Sequence, residues 1–260
     1  MYKHLTKKDI RRNLQVPMDY QVDAIIASGT NPKAKEYIHL YEALEKLGVN
    51  YAEEKIEEVF FSDVKIFLIE NHRIWFDVVY GTTYLNEFVH WGSMLGSKAN
   101  LLLGTCGALQ NNMKATDTVI PTSSYGNESS TRMYQPDNFS NLHISDPLLS
   151  EAIIKQIKHR ETIHRGELMT VQAMLAETEK DIISWNAQGY IGVDMESATM
   201  FAVSNHFDIP SAALLFVVDN LIEKQLVTDV SFDLLKTQRT SIRKENYEIG
   251  IKTILEFLII

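Results

Sequence analysis

The chain has 260 residues, 45% of them hydrophobic, which suits one large domain or two small ones with a core that needs no disulfide staple. Acidic residues outnumber basic ones, 34 to 25, and the net charge of −9 argues against a nucleic-acid scaffold while leaving room for a small anion in a local pocket. The single cysteine, Cys106, has no partner for an internal bridge and fits a reducing compartment.

Met1 to Gln15 is polar and basic, with no apolar stretch behind it, and does not read as a signal peptide. No run approaches 18 apolar residues, so the expectation is a cytoplasmic chain without a membrane span. There is no repeat, linker or low-complexity tract, and glycine and proline are scarce (12 and 6), so regular structure should dominate. Ala24 to Ser28 reads as a buried strand ended by Gly29, and Pro32 opens a helix carrying Tyr37, Leu40, Tyr41, Leu44 and Leu47. Val64 to Ile69 and Ile74 to Tyr80 form a hairpin about Asn71-His72, and Thr83 to Leu95 is helical. Leu101 to Leu103 is a short strand running into the turn Gly104-Thr105-Cys106-Gly107. Further strands are expected at Thr118 to Pro121, Leu168 to Val171 and Ala212 to Val218. Helices are expected at Asp146 to His159, Thr178 to Trp185, Met195 to Phe207 and Leu234 to Leu258. Alternating strands and helices, with several strands apolar on both faces, predict a parallel or mixed sheet covered by helices. Ligands of such sheets gather at the carboxyl ends of the strands.

Four segments at such ends carry polar or glycine-rich chemistry. Ser28-Gly29-Thr30-Asn31-Pro32-Lys33 offers backbone N–H groups, a helix start and one cation to an anion; a turn with a solvated lysine is the plainer alternative. Gly104 to Ala108 lets the backbone approach a ligand beside the Thr105 hydroxyl, or is simply a tight turn, with Cys106 a packing residue. Asp194 and Glu196 stand at the mouth of a small-residue helix, where they either cap it or accept hydrogen bonds from the vicinal hydroxyls of a sugar. Asp219 follows the apolar run Leu214 to Val218; desolvation there raises a carboxyl pKa and suits a proton donor, unless Asp219 only shapes a turn.

Together these segments resemble the nucleoside phosphorylase and nucleosidase superfamily. The resemblance rests on Gly192 to Ala198 (GVDMESA), Leu102 to Leu109 (LLGTCGAL), Pro210 to Asp219 (PSAALLFVVD), Gly29 to Ala34 (GTNPKA) and Glu128 to Pro136 (ESSTRMYQP), and covers residues 24 to 258. It implies a single domain over residues 1–260, an α/β/α layer whose central mixed sheet is partly barrel-like, with residues 1–20 as an N-terminal arm at a subunit interface. It also implies a homo-oligomer, a dimer or a trimer of dimers. The activity implied is phosphorolysis of a purine nucleoside, with inorganic phosphate as co-substrate and no organic cofactor or metal. By the resemblance Glu196 binds the ribose hydroxyls, Met195 packs on the sugar, and His4 reaches the 5′-hydroxyl of a neighbouring subunit's substrate. Asp219 protonates the departing purine, Met174 and Tyr134 border the base, and Gly29, Lys33 and Thr105 face the phosphate.

The chain departs from the family at its anion site. The arginine that usually precedes the Gly-Thr turn is Leu102, the first-loop arginine is Lys33, and no arginine lies between Val49 and Phe60. These departures raise hydrolysis by water as the alternative, although Lys33 stands near the position where nucleosidases place a glutamate base. A nucleoside-binding protein without turnover is the second alternative. The Gln-x-Arg pair of uridine phosphorylases is absent from Met174 to Lys180. The remaining histidines show no zinc spacing and read as surface or packing residues. Arg239, Arg243, Lys244 and Glu245 read as the solvated face of the closing helix.

Overall fold

The computed structural model describes residues 4–56 and 63–259. The first three residues of the N-terminal arm and residues 57–60 of the stretch searched for an arginine lie outside the described residues.

A capped helix α1 (Lys7–Asn13) leads into β1 (Ala24–Ser28), α2 (Lys33–Leu47) and β2 (Tyr51–Glu54). Next come β3 (Lys65–Ile69), β4 (His72–Val78), α3 (Thr82–Met94) and β5 (Ala99–Ala108). β6 (Thr118–Gly126), α4 (Ser130–Tyr134), β7 (Leu142–Ile144) and α5 (Pro147–Gln156) follow. The last third holds β8 (Ile163–Thr170), α6 (Glu179–Ala187), β9 (Gly192–Asp194), α7 (Ser197–His206), β10 (Ser211–Asn220), α8 (Val230–Leu234) and α9 (Lys236–Ile259). Among the described residues no helix is long and apolar enough to cross a membrane.

Local chemistry explains several boundaries. β1 ends where the apolar run ends. The β3–β4 turn falls on Glu70 and Asn71, one residue before the expected pair; both have positive φ, 50° and 71°, as a two-residue hairpin loop requires. Asp146 caps α5 by accepting from the Leu149 N–H, and Thr178 with Asp181 forms a reciprocal capping box on α6.

All strands join one mixed sheet in the order β10-β6-β8-β9-β5-β1-β4-β3-β2, with β7 added to β6. β10 also pairs with β5, so β5, β10, β6, β8 and β9 close into a ring, and β1, β4, β3 and β2 extend from it as an open wing. This is the α/β layer with a partly barrel-like sheet. α2, α5 and α9 pack on one face over Leu40, Leu101, Leu103 and Tyr247. α1, α3 and α7 pack on the other over Trp75, Phe88 and Phe201. A smaller cluster of Leu109, Met169, Ile182 and Trp185 lies under α6.

Three expectations are corrected. Gly104 to Gly107 and Val218 to Asn220 are strand rather than turn, because β5 and β10 pair with each other along these stretches and satisfy each other's backbone groups. The helix expected from Met195 starts at Ser197, since Gly192 to Asp194 pairs between β5 and β8. The closing helix is interrupted at Leu235, and its basic run is not a solvated face: Arg239 is only 7% exposed and Arg243 reaches the fully buried Glu36.

One feature of the pairing makes room for a ligand. β5 lies beside β1 from Ala99 to Leu103 and beside β9 only at Gly107 and Ala108. Along that edge Gly104 to Cys106 face no strand among the described residues, and the sheet parts there.

Candidate functional site

At the parting lies a partly open cleft. Gly29, Thr105, Met174, Met195, Glu196 and Asp219 all line it. Segments up to 190 residues apart in sequence are thus brought to one place. Its lining also holds Asp194 and Glu177, and contains four carboxylic acids but no basic side chain among the described residues.

The two acids of the Asp194/Glu196 pair have different surroundings. Asp194 Oδ1 accepts from the Thr170 hydroxyl (2.6 Å) and Oδ2 from the Ser197 N–H (2.8 Å), so Asp194 braces the start of α7. Glu196 is equally buried, and its Oε1 accepts the Gly81 N–H (2.7 Å). Burial and the Asp194 charge hold its pKa well above the usual carboxylate range, against the pull of the Gly81 and Met195 N–H groups. A buried carboxyl with acceptor capacity left over suits a ligand that brings hydroxyl donors. Gly29 is required beside it: a Cβ there would lie 2.8 Å from the Glu196 carboxyl carbon.

Asp219 sits at an irregularity of β10, where Val217 faces Cys106 but Asp219, two residues on, faces Gly107. The extra residue lets Val218 and Asp219 both line the cleft. Asp219 is 9% exposed. Burial pushes its carboxyl up to about 6, partly offset by N–H groups of Val227 and of Asp219 itself. Asn220 anchors the turn behind it, donating to the Gln110 and Met113 carbonyls and accepting from the Ile222 and Glu223 N–H groups.

Other expected site residues stand apart. The Lys33 ammonium is 2.8 Å from Asp77, a fully buried acid that also accepts from the Tyr37 and Tyr84 hydroxyls, and Lys33 does not line the cleft. The Gly29 N–H donates to the Leu103 carbonyl (2.8 Å) within the sheet. Tyr134 is not in the lining; its hydroxyl is 3.1 Å from His90 Nδ1, and its ring packs on His206. His4 is exposed ahead of α1 and outside the lining.

Two polar lining residues escape sequence reasoning. Tyr80, at the end of the β4 run, supplies an aromatic wall; burial and the charges of Glu196 and Glu177 raise its pKa. Glu177, ahead of α6, is pushed up to about 7 by burial first and then by the Asp219 charge. The only local signal for Glu177 is an acid next to a helix cap, which ordinarily marks a helix start. Among the described residues no group of three or more His, Cys, Asp or Glu is placed to hold a metal ion.

The Helicobacter pylori MTAN structure is similar over 90% of this chain and 99% of that one, with a TM-score of 0.67 and 14% identity. The Campylobacter jejuni 5′-methylthioadenosine/S-adenosyl homocysteine nucleosidase gives the same score and identity over 90% and 97%. At that identity the likeness is one of fold. By sequence, a guanosine phosphorylase of Halorubrum lacusprofundi is 28% identical over 130 residues, 50% of this chain and 54% of the relative. A DeoD-type purine nucleoside phosphorylase of Buchnera aphidicola is 27% identical over 132 residues, 50% and 56% of the two chains. The chain thus matches a little over half the length of these curated relatives. The sequence model of the Phosphorylase superfamily matches residues 79–245, from the strand end that carries Tyr80 through both buried acids to the closing helix. The chain belongs to the Phosphorylase superfamily.

Proposed function

We propose that the chain cleaves the N-glycosidic bond of a purine nucleoside by phosphorolysis, giving free base and ribose 1-phosphate. The observation that carries this reading is the pairing, in one cleft, of two buried acids with opposite needs. Glu196 has acceptor capacity for the 2′- and 3′-hydroxyls. Asp219 has a pKa of about 6, near the pH at which a proton must be handed over. Asp219 gives its proton to N7 of the purine, the bond between the anomeric carbon and N9 breaks with its electron pair passing to the base, and a phosphate oxygen bonds to the anomeric carbon. Met195 packs against the sugar, and Met174 and Tyr80 border the base. The sugar passes through an oxocarbenium-like state, and Glu196 holds its hydroxyls in place while that state forms.

The test is chromatographic detection of free base from inosine, guanosine, adenosine, methylthioadenosine, AMP and uridine, each with and without phosphate. Phosphate-dependent release from a purine nucleoside is expected. Release independent of phosphate would establish water as the nucleophile. That second reading is favoured by one observation, the engagement of Lys33 by Asp77, which leaves the cleft lining without a cation among the described residues. No release from any nucleoside that binds would leave a binding protein. A homo-oligomer in which His4 completes a neighbour's site belongs to the same proposal, and His4→Ala then raises the nucleoside KM in the oligomer.

A further inference from the structure

The closing helix carries a buried excess of positive charge. Arg239 is 7% exposed, and its Nη1 atom is buried without a hydrogen-bond partner among the described residues. The face of its guanidinium is covered by Phe232 of α8, whose ring centroid is 3.4 Å from Cζ, so the buried Nη1 at the planar edge is what remains to be satisfied. Burial and the like charge of Arg243 push the Arg239 pKa down; Asp233 on the exposed side of α8 opposes this only as the lesser influence. One helical turn on, Arg243 Nη1 donates to Glu36 Oε1 (2.9 Å), but its Nε is also buried and unpartnered. Arg243 thus has a buried carboxylate partner, while the buried Nη1 of Arg239 has none among the described residues. Orphaned charge of this kind is destabilising unless a counter-ion takes it up.

The direction of α9 places this pair at the ligand end of the sheet. A Cβ on Gly250 would meet the Leu101 and Leu103 side chains in the middle of β5. Tyr247 Oη lies 2.9 Å from Ser28 Oγ, on the last residue of β1. Arg243 lies 5.9 Å from the Phe216 ring, and Phe216 is the parallel partner of Thr105. Four residues further back, about 6 Å along the axis, Arg239 lies beyond these strand ends and beneath α8, whose lead-in residue Val227 lines the cleft. A string of polar contacts joins the pair to the first loop: Glu36 to Tyr247 (2.8 Å), Tyr247 to Ser28, and Ser28 to Thr30 (2.9 Å), next to the lining residue Gly29. Thr105 shares the face of its partner Phe216, toward α9.

We infer that Arg239 and Arg243 form the receptor for a tetrahedral oxyanion, inorganic phosphate, bound between α9 and the ends of β1 and β5. The anion's charge comes to rest against the closing helix instead of the first loop, where Lys33 is held by Asp77. Thr105 and the first-loop residues complete the cradle, and the guanidinium edges bind the oxygens in a fork that a lysine cannot reproduce. This rests on the reading above only in making phosphate the nucleophile; the anion site itself is tested without nucleoside.

The test is calorimetric titration of inorganic phosphate into the full chain, followed by base release under varied phosphate. Saturable binding is expected, weakened about tenfold or more in Arg239→Gln, with a smaller loss in Arg239→Lys, which keeps the charge and loses the fork. In turnover the phosphate KM rises by the same factor and the nucleoside KM does not move. If Arg239→Gln does not fold, Arg239→Lys carries the comparison. Undiminished phosphate binding in folded Arg239 variants overturns the site. So does a wild-type chain that binds no phosphate, and base release that ignores phosphate would then leave the nucleosidase reading standing. Phosphate binding that depends on Arg239, without release of any base, supports the site and removes the phosphorolytic reading instead.

Discussion

Asp219 is buried and Glu177 half-buried, and that sets their behaviour with pH. A proton donor works only while protonated, so with Asp219 near 6 the nucleoside kcat/KM falls as pH rises through about 6. Asp219→Asn should lower purine nucleoside turnover by roughly 10²-fold or more and abolish that limb in a pH–rate profile. The same shift has a stability consequence of fixed sign. Because the folded pKa of Asp219 is raised from 3.8 to about 6, the folded chain holds this proton more tightly than the unfolded one. Its contribution is complete below the unfolded value and is lost as pH rises through the folded value. Asp219→Asn should therefore resist urea better than wild type at pH 8, by on the order of 2 kcal/mol, and no better at pH 4. Equal urea midpoints at pH 8 would show that the acid is not desolvated. Glu177, raised to about 7, extends the same loss of stability toward neutral pH.

At the scale of elements, the ends of helices deserve the closest comparison. α6 starts on a complete capping box, and Thr178→Ala should cost about 1 kcal/mol in urea unfolding, with its first effect on the adjoining Glu177 loop. α2 starts on Lys33, whose ammonium answers a buried acid. Lys33→Ala should destabilise the chain by on the order of 3 kcal/mol by leaving Asp77 without its cation. A Lys33→Ala variant of unchanged urea midpoint and much weakened phosphate use would return Lys33 to the anion site. Sequence reading placed α2 well, because apolar periodicity and Pro32 are local signals. It could not see that Lys33 faces Asp77, which lies 44 residues away on another strand. Nor could it see that Arg239 is buried, since the cover is Phe232 on a separate short helix.

The whole molecule combines a five-stranded ring with an open wing that share β5. Since β5 belongs to both, neither part has a core of its own, and the chain should unfold as one domain. Near-UV and far-UV signals are then expected to give coincident transitions in urea, and separated midpoints would divide it. The alternation of strands and helices was legible in the sequence, as was the convergence of Gly29, Thr105, Glu196 and Asp219 on one cleft. Ring closure was not legible in the residues alone, because β10 meets β5 and β6 through pairings that leave no local trace. Glycines and polar residues in Gly104 to Gly107 looked like a turn because their use is to border a cleft while remaining strand.

Between the end of β1 and the start of β9, the edge of β5 stays unpaired from Gly104 to Cys106 among the described residues. The ligand's room is made by where backbones diverge, and side chains only furnish it. Replacing both acids, as in Glu196→Gln with Asp219→Asn, should leave a chain that turns nothing over yet still holds a purine nucleoside. Chemistry and shape are thus inherited separately here: a descendant can exchange its occupants one residue at a time without ever having to rebuild the chamber.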